Sequence, residues 1–196
     1  MEIYVTTEIH RIVTEKDGKK RKAGKIFKYC DIFQIDHATK KHVFLQGEPG
    51  KGKTTFAAKL VLDWCNECET LSNSNVNNPH FDDVETLQAF KFVFHIALRE
   101  SRYQRTVTKM IKKQIIEMIH AEKDVDAAYI LLQHILEKEI CLVVQDGLDE
   151  WCDPEQNLVL PLLFQTCQCI VFTTARPWKM SDERLKNSQI NCLLEL

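Results

Sequence analysis

The segment Gly47-Glu-Pro-Gly-Lys-Gly-Lys-Thr-Thr55 directly follows the apolar run His42-Val43-Phe44-Leu45-Gln46. It precedes apolar residues at Phe56, Ala57, Leu60, Val61 and Trp64. No other feature constrains the fold as much. The first run has strand composition, the last has helical spacing, and the glycine-rich segment between them suits neither interior. A chain that passes from strand to helix through such a turn builds a βα unit.

Further units follow. Phe92, Phe94, Ile96 and Leu98 alternate within a second strand spanning Phe90 to Leu98. Val107, Met110, Ile111, Ile115, Met118 and Ile119 fall at helical spacing, and another helix is expected from about Asp126 to Glu137. Ile140 to Gln145 is almost continuously apolar, as a strand covered on both faces must be. Leu158 to Phe164 reads as a short helix with Pro161 in its first turn. Cys169 to Thr173 and Ile190 to Leu196 read as the fourth and fifth strands, and Ser72 to Pro79 as a polar loop. The alternation predicts an α/β fold, a parallel sheet of about five strands with helices on both faces. Residues 1–41 fit the pattern less well. They are expected to be an N-terminal strand or hairpin and a linker beside a core of residues 42–196.

A chain of 196 residues, 44% apolar and 28% charged, suits one such domain. Its net charge of -2 exerts no bulk pull on nucleic acid or an acidic membrane. Lys19-Lys20-Arg21-Lys22, after the turn signal Asp17-Gly18, has no interleaved aromatics and reads as a solvated hairpin tip. No apolar run approaches the roughly 18 residues of a membrane span, and the first ten residues lack a secretory pattern. A cytoplasmic location is the expectation. The eight cysteines support it, because Cys141, Cys167, Cys169 and Cys192 lie inside apolar stretches, as free buried thiols do. Cys65-Asn-Glu-Cys68 has no second pair at zinc-site spacing and is read as packing.

Gly47-x-x-x-x-Gly52-Lys53-Thr54 matches the phosphate-binding P-loop pattern. Gly47 leaves the strand, and Gly50 and Gly52 let the backbone curl so that its N–H groups converge. Glu48, Pro49 and Lys51 complete the curl. The helix starting near Lys53 adds its positive end. Lys53 is then the cation for the β- and γ-phosphates, Thr54 a Mg²⁺ ligand, and Thr55 a donor to the α-phosphate. The competing reading, that Pro49-Gly50 is only a turn, is weakened by the strand before it and the helix after it.

A phosphate site of this kind needs an acid on a neighbouring strand. Asp146 ends the run Ile140-Cys-Leu-Val-Val-Gln-Asp146, where it can hold a Mg²⁺-bound water. Glu150 is the candidate to polarise an attacking water, and Asp149 can assist either role. Arg176, after the run Cys169-Ile-Val-Phe-Thr173, is placed to sense a γ-phosphate. An acidic turn and a surface arginine are the plainer alternatives.

GEPGKGKTT, CLVVQDGLDEW and IVFTTARPW together resemble the NACHT nucleotide-binding domain of the STAND class of P-loop ATPases, found in NOD-like receptors. The small Gly147 followed by Asp149-Glu150 carries the resemblance most specifically. Ile3-Tyr4-Val5 resembles the family's adenine-side segment, and His95-Ile-Ala-Leu-Arg99 its second strand and following arginine. Gln145 departs from it, standing where the family usually has an apolar residue. The resemblance implies an ASCE-type P-loop core that binds ATP or ADP with Mg²⁺. It implies a switch in innate-immune or other signalling, with weak ATPase activity at most and self-association in the full-length protein. Family members continue into lid and sensor modules, whereas this chain ends at Leu196, so it is expected to be a fragment or a minimal domain. A scaffold that keeps the fold but binds nucleotide poorly is the alternative. A GTPase or a small-molecule kinase is disfavoured, because no guanine-recognition segment and no arginine-rich lid occur. No nucleophile–base arrangement is evident among the scattered histidines.

Overall fold

A computed structural model describes residues 8–15, 19–33, 41–69, 81–163 and 167–196. The expected loop Ser72 to Pro79, the turn Asp17-Gly18 and the segment Ile3-Tyr4-Val5 lie outside the described residues. Among the described residues seven strands form one sheet: β1 (His10–Thr14), β2 (Lys20–Lys25), β3 (Lys41–Gln46), β4 (Phe92–Ala97), β5 (Cys141–Asp146), β6 (Cys169–Ala175) and β7 (Cys192–Glu195). Their order across the sheet is β2-β1-β7-β3-β6-β5-β4. From β7 to β4 all neighbours are parallel, and these are the five core strands that the alternation predicts. The other two form a hairpin that continues the sheet antiparallel along β7. The fold is thus α/β, of the P-loop NTPase kind, with β6 inserted between the glycine-loop strand and the acidic strand.

Period-two alternation divides the interior in two. Val43, Leu45, Leu142, Val144, Ile170, Phe172 and Leu194 face one side, against α1 (Tyr29–Phe33) and α2 (Lys53–Glu69). Phe44, Cys141, Val143, Cys169, Val171 and Leu193 face the other. There they meet α3 (Val107–Ile111) and α5 (Val125–Lys138). Each fully buried side chain of this kind contributes roughly 1.5–3 kcal/mol relative to exposure. In α2 the inward stripe is Phe56, Ala57 and Leu60, and Trp64 Nε1 donates to Phe90 O at 2.9 Å. Among the cysteines, Cys141, Cys167 and Cys169 are buried, and the adjacent thiols together with burial push Cys169 up.

Two local features depart from the periodicity. The helix through Val107 to Ile119 does not run regularly: a π-helical stretch, Lys112–Ile116, separates α3 from α4 (Glu117–Ile119). The wider turn sets Gln114 against the end of β4. Gln114 accepts from the Ala97 N–H and donates to Ala97 O, both at 2.9 Å, and also donates to Ser101 Oγ at 2.7 Å. The second departure corrects an expectation, since Leu158 to Leu163, the described part of the expected helix ending at Phe164, are not helical. Pro161 lacks an N–H, and Leu162 is extended instead. Leu162 N–H donates to Arg105 O at 2.8 Å and Leu162 O accepts from Val107 N–H at 2.9 Å, a parallel bridge.

Candidate functional site

Because the five core strands are parallel, their carboxyl ends share one edge, where the loops after β3, β4, β5 and β6 meet. The register places Gln46 beside Ala175, Gln145 beside Thr173 and Ala97 beside Asp146. All candidate site residues read from the sequence lie in or just after these strand ends.

The glycine loop is anchored at its start. Gly47 N–H donates to Ala175 O at 3.3 Å, and a Cβ at Gly47 would approach Leu196 Cβ to 3.3 Å. Gly50 and Gly52 take positive φ of 77° and 94°, the left-handed conformations that curl the loop. Lys51 N–H donates to Glu48 O, and Phe56 N–H to Gly52 O at 2.8 Å, which starts the first turn of α2. Glu48, Pro49, Gly50, Lys51, Thr54 and Thr55 are exposed, while Gly52 and Lys53 are half-buried. Lys53 Nζ reaches back over the loop to Gly47 O at 2.7 Å and Glu48 O at 3.1 Å. A flexible ammonium thus sits beside the N-terminus of a 17-residue helix, an arrangement that attracts anions.

Asp146 stands two strand spacings away, about 10 Å, with β6 between. Asp146 Oδ1 accepts from Thr174 Oγ1 at 2.5 Å, and Thr174 Oγ1 in turn accepts from Gly147 N–H at 2.8 Å. Gly147 has φ 84°, which turns the chain sharply away from the strand. The following 3-10 turn, Leu148–Glu150, is pinned by fully buried Leu148 and Trp151, and Trp151 Nε1 donates to Gln104 O at 3.2 Å. Glu150, held between them, is exposed. Asp149 turns the other way: its carboxylate accepts from Arg176 N–H at 3.1 Å and lies 2.8 Å from Arg176 Nε.

The candidate residues therefore fall into three groups. The loop residues Gly47 to Thr55 form one, Asp146 and Glu150 line the acidic turn, and Asp149 and Arg176 are paired with each other. Arg99 is exposed and ion-paired with Glu100 at 3.8 Å. Gln145 is buried and accepts from Thr173 Oγ1 at 3.1 Å, so its polar amide has a partner inside the sheet. Thr174 is a side chain bonded to the candidate site that the sequence reading did not single out. Its position two residues before Arg176 is visible in the sequence, but its partnership with Asp146 depends on β6 lying next to β5.

Thr54 and Asp146 fit a hard divalent cation, since both offer oxygen donors. Among the described residues neither the Thr54 hydroxyl nor Asp146 Oδ2 is engaged in a hydrogen bond. No helix among the described residues is long and apolar enough to cross a membrane.

A family model described as "Nephrocystin 3, N-terminal" matches residues 28–176. The matched stretch contains the glycine loop, the acidic turn and Arg176, and leaves out the β1–β2 hairpin and β7. No curated protein matches the chain by sequence. Among solved structures, one of Drosophila ORC bound to DNA is similar with a TM-score of 0.46 and 16% identity. The similarity covers 75% of this chain and 35% of that one.

Proposed function

The chain belongs to the nephrocystin 3 N-terminal family, and from that premise we propose that it binds ATP or ADP with Mg²⁺ as a NACHT-type molecular switch. Hydrolysis is slow and resets the switch. The observation that carries this reading is the Lys53 ammonium lying over a curled glycine loop at a helix N-terminus, with Asp146 across one intervening strand.

In this reading the loop N–H groups and the start of α2 take the phosphate oxygens. Lys53 exchanges the carbonyls of Gly47 and Glu48 for β- and γ-phosphate oxygens, and Thr55 donates to the α-phosphate. Thr54 and Asp146 hold the cation, which neutralises phosphate charge when bound. Glu150 orients the attacking water from its exposed position on the acidic turn. Arg176 reads the γ-phosphate when its guanidinium leaves Asp149. Membership of a signalling receptor, self-association of the full-length protein and a cytoplasmic location belong to the same proposal.

The test is calorimetric titration of the 196-residue chain with ATP and ADP, with and without Mg²⁺, beside Lys53→Ala. A hydrogen-bonded contact to a charged group is worth about 1.5–3 kcal/mol, so the substitution should weaken binding roughly tenfold to a hundredfold. Equal affinities for the two proteins would sink the proposal. A second reading is a scaffold that binds nucleotide poorly. It is favoured by one specific observation: Lys53 and Arg176 are both already engaged, by loop carbonyls and by Asp149. Absence of binding by both proteins would support it.

A further inference from the structure

β6 and the residue after it line up three polar side chains with three on β5 and the turn after it. Thr173 pairs with Gln145, Thr174 with Asp146, and Arg176 with Asp149. The middle pair differs from the others in what it holds. Thr174 is fully buried and has a single hydroxyl, which it gives to Asp146 Oδ1 while accepting from Gly147 N–H. That double engagement fixes the hydroxyl rotor, because its one proton goes to the carboxylate and a lone pair meets the amide. The 2.5 Å contact is at the short end of the range for a hydroxyl donating to an oxygen. Oδ1 is thereby turned toward β6, and Oδ2 is the carboxylate oxygen left for another partner. The same hydroxyl also holds the left-handed Gly147, from which the acidic turn departs.

We propose that Thr174 is the positioning residue that orients Asp146 toward the cation of a bound Mg²⁺–nucleotide, so that it governs the Mg²⁺-dependent part of binding and not the loop-dependent part. This rests on the nucleotide-binding reading above. The loop's own donors, Lys53 and the start of α2, are not bonded to Thr174, and so the two contributions separate. An outer partner of a metal-ligating carboxylate typically changes metal affinity by about 10- to 100-fold when removed.

The experiment titrates the full chain with ATP in excess Mg²⁺ and in a chelator, and takes the ratio of the two dissociation constants. It compares wild type, Thr174→Val, Thr174→Ala, Thr174→Ser and Asp146→Asn. Amide hydrogen exchange at Gly147 is followed without nucleotide as a second readout. Thr174→Val should lose most of the Mg²⁺ enhancement, approaching Asp146→Asn, with chelator-state affinity within about twofold of wild type. Thr174→Ala should do the same, and it reads the proposal if the valine variant fails to fold. Thr174→Ser, which restores the hydroxyl, should recover the enhancement and return the Gly147 exchange that the valine and alanine variants accelerate to the wild-type rate. Full Mg²⁺ enhancement in the valine or alanine variant would overturn the proposal. Equal loss in both Mg²⁺ and chelator states would overturn it too, because the threonine would then be structural only. If wild type bound nucleotide in neither state, the nucleotide-binding reading itself would fall, and this inference with it.

Discussion

Arg176 holds Asp149 with two groups at once, its backbone N–H at 3.1 Å from Oδ1 and its guanidinium Nε at 2.8 Å from Oδ2. The two ends of the pair are unlike: the Asp149 side chain is 5% exposed and that of Arg176 is 43% exposed. Removing the arginine side chain leaves a buried carboxylate with only the backbone N–H, whereas removing the aspartate releases the guanidinium into water along with that N–H. We expect Arg176→Ala to cost about 2 kcal/mol and Asp149→Ala about 1 kcal/mol. The double variant should be more stable than the sum of the two by about 1 kcal/mol. Urea denaturation of the four proteins checks this, and strict additivity would mean that the pair contributes nothing.

Gln145 poses the complementary case, an uncharged polar pair in the sheet. It is 2% exposed and its amide oxygen accepts from Thr173, which is equally buried. Gln145→Leu alone leaves the Thr173 hydroxyl without that partner and should cost about 1–2 kcal/mol. Adding Thr173→Val should return most of the loss, since replacing both partners by apolar groups is nearly neutral. Thermal melting of the single and double variants gives the answer. A double variant less stable than Gln145→Leu would show that packing, not the hydrogen bond, decides the site.

The π-helical stretch exists at a cost in helical regularity, and Gln114 is what it sets in place. The carboxamide engages both backbone groups of Ala97 and the hydroxyl of fully buried Ser101. Gln114→Met keeps the length and removes all three contacts, so a loss of about 2 kcal/mol is expected. Amide exchange at Ala97 should accelerate more than exchange in the middle of β5. Uniform acceleration would indicate global destabilisation and no local role. Because Ala97 pairs with Asp146, a local effect here reaches the site.

Asp83 caps α1 from a segment far along the chain, accepting from Tyr29 N–H at 2.7 Å and Cys30 N–H at 2.9 Å. Burial pushes its carboxyl up, but the Cys30 and Tyr29 N–H groups and the Thr86 hydroxyl outweigh burial and hold it below the usual carboxylate range. A depressed folded-state value means that its contribution is present above the unfolded value near pH 4. The contribution is lost as pH falls through the lower folded value. Asp83→Asn should therefore cost about 1 kcal/mol at pH 7, and the gap from wild type should narrow as the pH is taken down from about 4. Chemical denaturation across that range tests the sign, and a gap that stays constant with pH would refute the assignment.

Much of this molecule can be read along the chain because the relevant physics is local. The glycine loop declares itself by composition and spacing, and the strand before it and helix after it by their apolar periods. Asp146 stands out as the acid ending a run that is apolar except for Gln145. These features depend on residues a few positions apart, so no knowledge of the sheet is needed. The short helix read at Leu158 to Phe164 failed for a non-local reason: Leu162 bonds its backbone to Arg105 and Val107, nearly sixty residues earlier in the chain. The π-turn at Gln114 likewise meets both backbone groups of Ala97 at the end of β4, a contact that no periodicity contains. The largest gain from three dimensions is the strand order. Only when β6 lies between β3 and β5 does Thr174 meet Asp146, Thr173 meet Gln145 and Arg176 meet Asp149. A hydrogen bond needs its partners within about 3 Å, and for residues some 28 positions apart that closeness is set by how the sheet assembles.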